Sequence, residues 1–184
     1  GAEYRGYASD ITRSWPISGT FTEAQTEIYS LVLKSQEAAI AACKVGNAYT
    51  APHDEARRVL AEGLIELGII SQTVDEALDP TDGELRNWYM HNTSHWIGLD
   101  VHDVGVYKPG GTPRTLESGM CLTVEPGLYF GAWRPDVDCP KRYANIGIRI
   151  EDDVLVTETG PVVLTEACPK TVDDIQSIVG QPLS

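Results

Sequence analysis

A chain of 184 residues with 42% hydrophobic content is long enough to bury a real core as a single domain, because at this size roughly two-thirds or more of the unfolded surface is hidden on folding. Its formal charge of −13, from 27 acidic and 14 basic residues, argues against nucleic acid or an anionic membrane as a partner, since neutralising phosphates takes clustered Lys and Arg. No apolar run approaches the roughly 20 residues that span a bilayer. Cys43, Cys121, Cys139 and Cys168 show no Cys-x-x-Cys spacing, and no basic region leads into an apolar core at the N-terminus; a cytoplasmic protein with reduced thiols is expected.

In chain order, residues 4–17 alternate aromatic, small and β-branched types up to Pro16 and Gly19 and predict a strand with Asp10 on one face. Thr22 and Gln25 then have the spacing of a capping box. Ile28, Leu31, Val32, Ser35, Ala38, Ala39 and Ala42 follow at helical intervals up to Gly46. A second helix opens at Thr50 with Pro52 in its first turn, carries Ala56, Val59, Leu60, Leu64 and Leu67 on one side, and stops at Gly68. Residues 71–90 are polar and turn-rich, with room for short helices. Beyond residue 94 the pattern is extended, with strands expected at 95–102, 120–125, 146–151, 153–157 and 162–164, loops at 107–118 and 131–145, and a last short helix from Thr171 to Gly180.

A strand, two helices and then several strands predict an α+β domain whose helices cover one sheet face and leave the other for a site. In 146–151, Ile146, Ile148 and Ile150 would face the helices, while Gly147, Arg149 and Glu151 face away.

The stretch 88–105 holds three of the four histidines, His91, His95 and His102. On one regular strand His95 shares a face with Ile97, Leu99 and Val101, and His102 shares the other with Trp96, Gly98 and Asp100. Both histidines can serve one site only if the chain breaks near Gly98. Asp10, His95, Glu125 and Glu151 each fall at or near the end of an expected strand. One imidazole with three carboxylates suits divalent manganese, cobalt, iron or zinc better than calcium, which prefers oxygen alone. On their own residues, Asp10 reads rather as a turn or capping residue, and Glu125, before Pro126-Gly127, reads also as an exposed strand end.

Four segments carry a resemblance: Tyr-Arg-Gly-Tyr-Ala-Ser-Asp-Ile-Thr-Arg (4–13), Met-His-Asn-Thr-Ser-His-Trp-Ile-Gly-Leu-Asp-Val-His-Asp-Val-Gly (90–105), Leu-Thr-Val-Glu-Pro-Gly-Leu-Tyr (122–129) and Gly-Ile-Arg-Ile-Glu-Asp-Asp (147–153). In type and order they resemble the aminopeptidase P family, the Xaa-Pro aminopeptidases among the pita-bread metallopeptidases, over almost the whole chain. The resemblance implies a pita-bread fold, a curved antiparallel sheet backed by helices. It also implies a metal-dependent exopeptidase that uses a metal-activated water to remove the N-terminal residue from peptides with proline at position two. Prolidase activity on Xaa-Pro dipeptides, and a non-catalytic peptide-binding module, are the alternatives on the same scaffold.

On that resemblance Asp10, His95, Glu125 and Glu151 match metal ligands, and Glu125 is also the base that takes the water's proton. His91 and His102 match groups that bind substrate beside the scissile bond, His102 with a catalytic part in stabilising the oxyanion. Tyr129 and Arg149 match the active-site face, where Arg149 would order Glu151 or the substrate. His53 has no match and is expected on a helix surface. Trp15, Trp88, Trp96 and Trp133 are expected to pack, with Trp88 also placed to line a proline pocket. The family holds two ions, manganese foremost, with one more aspartate lying upstream of the position matched by Asp10. That position falls before Gly1, so a truncated chain holding one ion or none is expected, with an exposed sheet edge that favours a homo-oligomer.

Overall fold

The computed structural model describes residues 1–131 and 136–181, in one α+β arrangement. Helix α1 (Glu23–Ala42) starts where expected. The Thr22 hydroxyl accepts from the Gln25 amide and the Gln25 side chain accepts from the Thr22 amide, so two of the helix's free donors are satisfied reciprocally. Its buried stripe of Ile28, Leu31, Val32, Ala39 and Ile40 lies against α2 (Ala51–Glu66), which buries Ala56, Val59, Leu60 and Leu64. The helices approach closely at Gly63, where a Cβ would stand 2.3 Å from Leu31 Cδ1. After α2 come α3 (Val74–Ala77), opened by a Thr73–Glu76 capping box, and one 3-10 turn over Glu84–Asn87.

Residues 4–17 do not form the single strand expected. β1 (Glu3–Tyr4) and β2 (Tyr7–Ala8) make a tight hairpin instead, turning on Arg5 (φ 55°) and Gly6 (φ 85°). Two consecutive positive-φ residues give the turn whose twist matches flanking strands. Residues 10–14 then run extended beside the strand region 149–153, with Thr12 bridging Glu151.

The remaining strands are β3 (Cys121–Val124), β4 (Gly127–Tyr129), β5 (Gly147–Arg149), β6 (Asp152–Thr157) and β7 (Gly160–Val163). β4 was not anticipated as a separate strand. β3 pairs antiparallel with β6, and β4 with β5. The register is the same in both ladders, Val124 opposite Asp152 and Gly127 opposite Arg149, so together they form one bent ribbon interrupted at Glu125-Pro126 and Ile150-Glu151. The Ile150 amide still donates to the Pro126 carbonyl across the interruption. β7 extends the sheet beyond β6. On the other side, residues 93–97 lie along β3 through the amides of Glu125, Thr123 and Ile97, with a bridge between Trp96 and Leu122.

The strand expected at 95–102 therefore ends at residue 97. At Gly98 the chain folds back, so that the Asp103 amide reaches the Trp96 carbonyl. A Cβ on Gly98 would lie 2.2 Å from the Asp103 carboxylate, so a side chain at this corner would have to push that carboxylate aside.

Alternation places Leu122, Val124, Leu128, Ile148 and Ile150 in the core against the two long helices. The opposite face is left to polar side chains. A terminal helix α4 (Val172–Ile178), capped by Thr171, packs on α1 through Ile175. Trp88 and Trp96 are buried in the core, Trp88 stacked on Phe130 rather than lining the cavity. Trp15 is 54% exposed, against expectation, and Trp133 lies outside the described residues.

Candidate metal centre

The shared register carries the site. Continued through the interruption, it sets Glu125 directly opposite Glu151, with both side chains on the face that turns away from the helices. The neighbouring pairings extend that face sideways. Thr12 opposite Glu151 puts Asp10, two residues earlier, on the same side, and Glu125 bonded to Thr93 does so for His95, two residues later. Four segments distant in sequence thus deliver four ligand-type side chains to one spot.

The distances bear this out. Asp10, His95 and Glu151 each offer an atom within 4.8 Å of the others. His95 Nε2 lies 3.5 Å from Asp10 Oδ2 and 3.4 Å from Glu125 Oε1. His95 Nδ1 is 3.0 Å from its acceptor, the Trp96 carbonyl, so the proton sits on Nδ1 and Nε2 offers its lone pair to the carboxylates' centre. Thr123 Oγ1 accepts from the His95 amide and donates to Glu125, Thr12 donates to Glu151, and Asp153 accepts from the Asp10 amide.

Electrostatically the cluster is short of positive charge, with Arg149 beside Glu125 set against three carboxylates. Burial pushes the Glu151 carboxyl up to about 7; the Thr12 hydrogen bond opposes this, and the charges of Glu125 and Asp10 add to it. Burial likewise raises Glu125 to about 6, against the pull of Arg149. Carboxylates directly opposite one another on a sheet repel, and buried ones are costly unless paired. A divalent cation supplies the missing charge, and one imidazole nitrogen among carboxylate oxygens is a donor set that fits it.

Around this centre lies a cavity of about 1060 Å³, lined among others by His53, His91, His95, His102, Glu125 and Arg149. The His102 ring stands 4.2 Å from that of His95, so the break at Gly98 does bring both to one place. The Tyr129 hydroxyl lies 2.7 Å from His91 Nε2 and accepts from Arg149 Nε. Burial lowers the His91 pKa and raises that of Tyr129. Arg149 approaches Glu125, at 3.7 Å, rather than forming an ion pair with Glu151.

The sequence reading missed His53. It is half-buried rather than a surface residue, with Nδ1 2.8 Å from Thr93 Oγ1 and its ring on the cavity wall. The stripe of α2, stepped back three residues from Ala56, reaches His53, and that spacing was the available signal. The threonines that hold the ligands, Thr12, Thr93 and Thr123, carried no such mark.

The description "Metallopeptidase family M24" matches residues 1–158. The chain belongs to this family. It is 46% identical over 97% of its length to the Xaa-Pro aminopeptidase of Escherichia coli and 45% identical over the same share to that of Haemophilus influenzae. The solved structure of Pseudomonas aeruginosa aminopeptidase PepP superposes with a TM-score of 0.90 at 44% identity, over 96% of this chain. A zinc-substituted E. coli aminopeptidase P in complex with product gives 0.87 at 46% identity over the same share. The fold is the pita-bread fold of these proteins. The chain spans about two-fifths of the relatives' length, 39% of the E. coli protein and 40% of the H. influenzae one.

Proposed function

We propose that the chain carries the catalytic face of a metal-dependent exopeptidase that removes the N-terminal residue from peptides with proline at position two. The observation that carries this reading is the convergence of Asp10, His95, Glu125 and Glu151 on one side of the bent ribbon, beside a cavity large enough for a peptide. At about 1060 Å³ it stands at the top of the roughly 300–1,000 Å³ usual for ligand sites, which favours peptides longer than a dipeptide.

Asp10, His95, Glu125 and Glu151 would hold one divalent ion, manganese by our reading. When bound, it polarises a peptide carbonyl and lowers the pKa of a water. The chain's own groups do the rest. Glu125 accepts the proton of the attacking water. His102 offers a ring nitrogen beside the reacting carbonyl, and an N–H placed there stabilises developing negative charge. The His91 ring, its Nδ1 donating to the Asn92 carbonyl and its Nε2 accepting from Tyr129, borders the same place as a fixed wall for the substrate. Tyr129, fixed between His91 and Arg149, keeps the His91 ring in its orientation, while Arg149 lies against Glu125 and offers guanidinium hydrogens to the substrate.

We also propose a homo-oligomer in a reducing cytoplasm. Tyr4 and Tyr7 on the hairpin are 73% and 63% exposed, the turn between them at Gly6 lies close to Leu99, itself 64% exposed, and the four cysteines are free thiols. Light scattering of the purified chain checks the first point.

The decisive test is release of the first residue from an Xaa-Pro-Xaa tripeptide, with and without manganese. Manganese-dependent release that Glu125→Gln abolishes is expected. A chain that binds manganese tightly yet cleaves no peptide of this kind would sink the hydrolase reading and leave a peptide-binding module.

A further inference from the structure

His53 holds a chemically asymmetric position. Its Nδ1 faces Thr93 Oγ1 at 2.8 Å, and Thr93 Oγ1 also meets the hydroxyl of Tyr89. Thr93 and Tyr89 are both buried. Among the described residues, Thr93 is the one hydrogen-bond partner of the Tyr89 hydroxyl.

Two hydroxyl hydrogens and three heavy atoms allow only one arrangement in which no buried donor is wasted. Tyr89 donates to Thr93, and Thr93 donates to His53 Nδ1, which must then be the unprotonated ring nitrogen. The reverse tautomer would leave one of the two hydroxyl hydrogens, that of Tyr89 or that of Thr93, without an acceptor in a buried place, at a cost comparable to a lost hydrogen bond.

The His53 proton is therefore on Nε2. That nitrogen makes no hydrogen bond among the described residues, and the ring lines the same cavity as Glu125 and His95. The neighbouring Tyr49 hydroxyl is already spent on the Ser94 carbonyl. Burial, reinforced by Arg57 and His91, pushes the His53 pKa down to about 4, so the ring is neutral at physiological pH. A neutral donor does not repel the protonated amine at a peptide's N-terminus.

We infer that His53 is a substrate-binding residue whose Nε2–H donates to a backbone carbonyl oxygen of a peptide lying in the cavity. The inference rests on the peptide reading above, and adds a contact on the α2 wall that the ligand cluster does not supply. It also explains why a histidine stands here. Its two nitrogens divide the work, Nδ1 keeping Thr93 in place beside Glu125 while Nε2 meets the ligand.

Two substitutions separate these tasks. His53→Asn puts an amide oxygen near the position of Nδ1 and keeps the Thr93 bond, but removes the cavity donor. His53→Gln reaches the position of Nε2 and restores a donor there, but gives up Thr93. The probe is an Ala-Pro-Ala peptide with its first amide reduced to an amine, titrated by calorimetry into the manganese-loaded chain. His53→Asn is expected to weaken peptide binding about tenfold, the worth of one hydrogen bond, with manganese affinity and melting temperature unchanged. His53→Gln should recover part of the peptide affinity while melting lower. Equal peptide affinity in wild type and His53→Asn overturns the inference alone, as does a nitrogen-15 NMR spectrum that places the His53 proton on Nδ1. Absence of peptide binding by the wild type overturns the peptide reading and this contact together.

Discussion

Glu151 and Asp152 are adjacent in sequence, both buried, and opposite in circumstance. Asp152 faces the helices, where Arg13, Lys170, Gln36 and Thr165 all donate to it at 2.7–2.8 Å. Burial pushes its carboxyl up, yet the hydrogen bonds of Lys170, Arg13, Thr165 and Gln36 together outweigh that and hold it below the usual range. Glu151 faces the other way, with Thr12 as its hydroxyl donor and two more acids as neighbours, and its carboxyl is raised to about 7. The strand's alternation thus turns one buried carboxylate into a structural anchor and the next into a group that needs a cation. Stability and chemistry are kept on separate faces of one strand.

The largest expected effect breaks the anchor. Asp152→Ala strands the Arg13 guanidinium, whose side chain is 6% exposed, together with Lys170, and removing one partner of a buried pair costs about 3–5 kcal/mol. Urea unfolding measures it. Arg13 also donates to the carbonyls of Glu151, Cys168 and Pro169, so the terminal segment should loosen as well. A loss below about 1 kcal/mol would erase the contrast drawn between the two faces.

Glu151→Gln should behave in the opposite sense. In metal-free protein it removes a repelled, buried charge, so stability at pH 8 is expected to equal or exceed that of the wild type. Manganese affinity should fall roughly 100-fold or more, since even changes in groups that merely orient ligands cost 10–100-fold. Calorimetry on both proteins reads the two effects separately.

The same contrast predicts a pH dependence. Glu125 at about 6 and Glu151 at about 7 lie above their unfolded values, near 4.5, so between these limits the folded protein holds protons that the unfolded chain has released. Stability of the metal-free protein therefore falls as pH rises from about 4.5 to about 7 and stays lower above it. With manganese present the trend reverses, because the ion binds the deprotonated carboxylates and its affinity grows over the same range. Thermal melts at pH 5 and pH 8, with manganese or a chelator, test both signs. A metal-free protein that gains stability on going from pH 5 to 8 would contradict them.

How much of this was legible in the sequence follows the range of the interactions. α1 and α2 were readable because a capping box and a repeat of 3.6 residues are local. The facing of Arg149 and Glu151 away from Ile148 and Ile150 was readable for the same reason, from a period of two. That Glu125 stands opposite Glu151 was not, because it depends on a register set between strands over twenty residues apart. The nearness of the four ligands was therefore expected from resemblance rather than from spacing. The corner at Gly98 could be stated only as a condition, that His95 and His102 share a site if the chain breaks. The hairpin at Arg5-Gly6 was hidden because its turn asks an arginine to adopt positive φ, which its side chain does not advertise. His53 was overlooked because a charged-looking residue at the first turn of a helix is ordinarily solvated.

The smallest effect offers the finest probe of the comparison. Thr12 and Thr165 each donate one hydroxyl hydrogen, to Glu151 and Asp152 respectively. Removing either by substitution with valine deletes one bond to a charged acceptor, worth about 1.5–3 kcal/mol where that charge is fully formed. At Asp152 the charge is formed throughout the neutral range, so Thr165→Val should show its full loss at pH 6 and at pH 8 alike. At Glu151 the carboxyl is largely protonated at pH 6 and accepts the Thr12 hydrogen bond only as an uncharged group, so Thr12→Val should cost less there than at pH 8, while weakening manganese binding about tenfold. Equal pH dependence in the two variants would mean that the faces differ in their neighbours but not in their electrostatics.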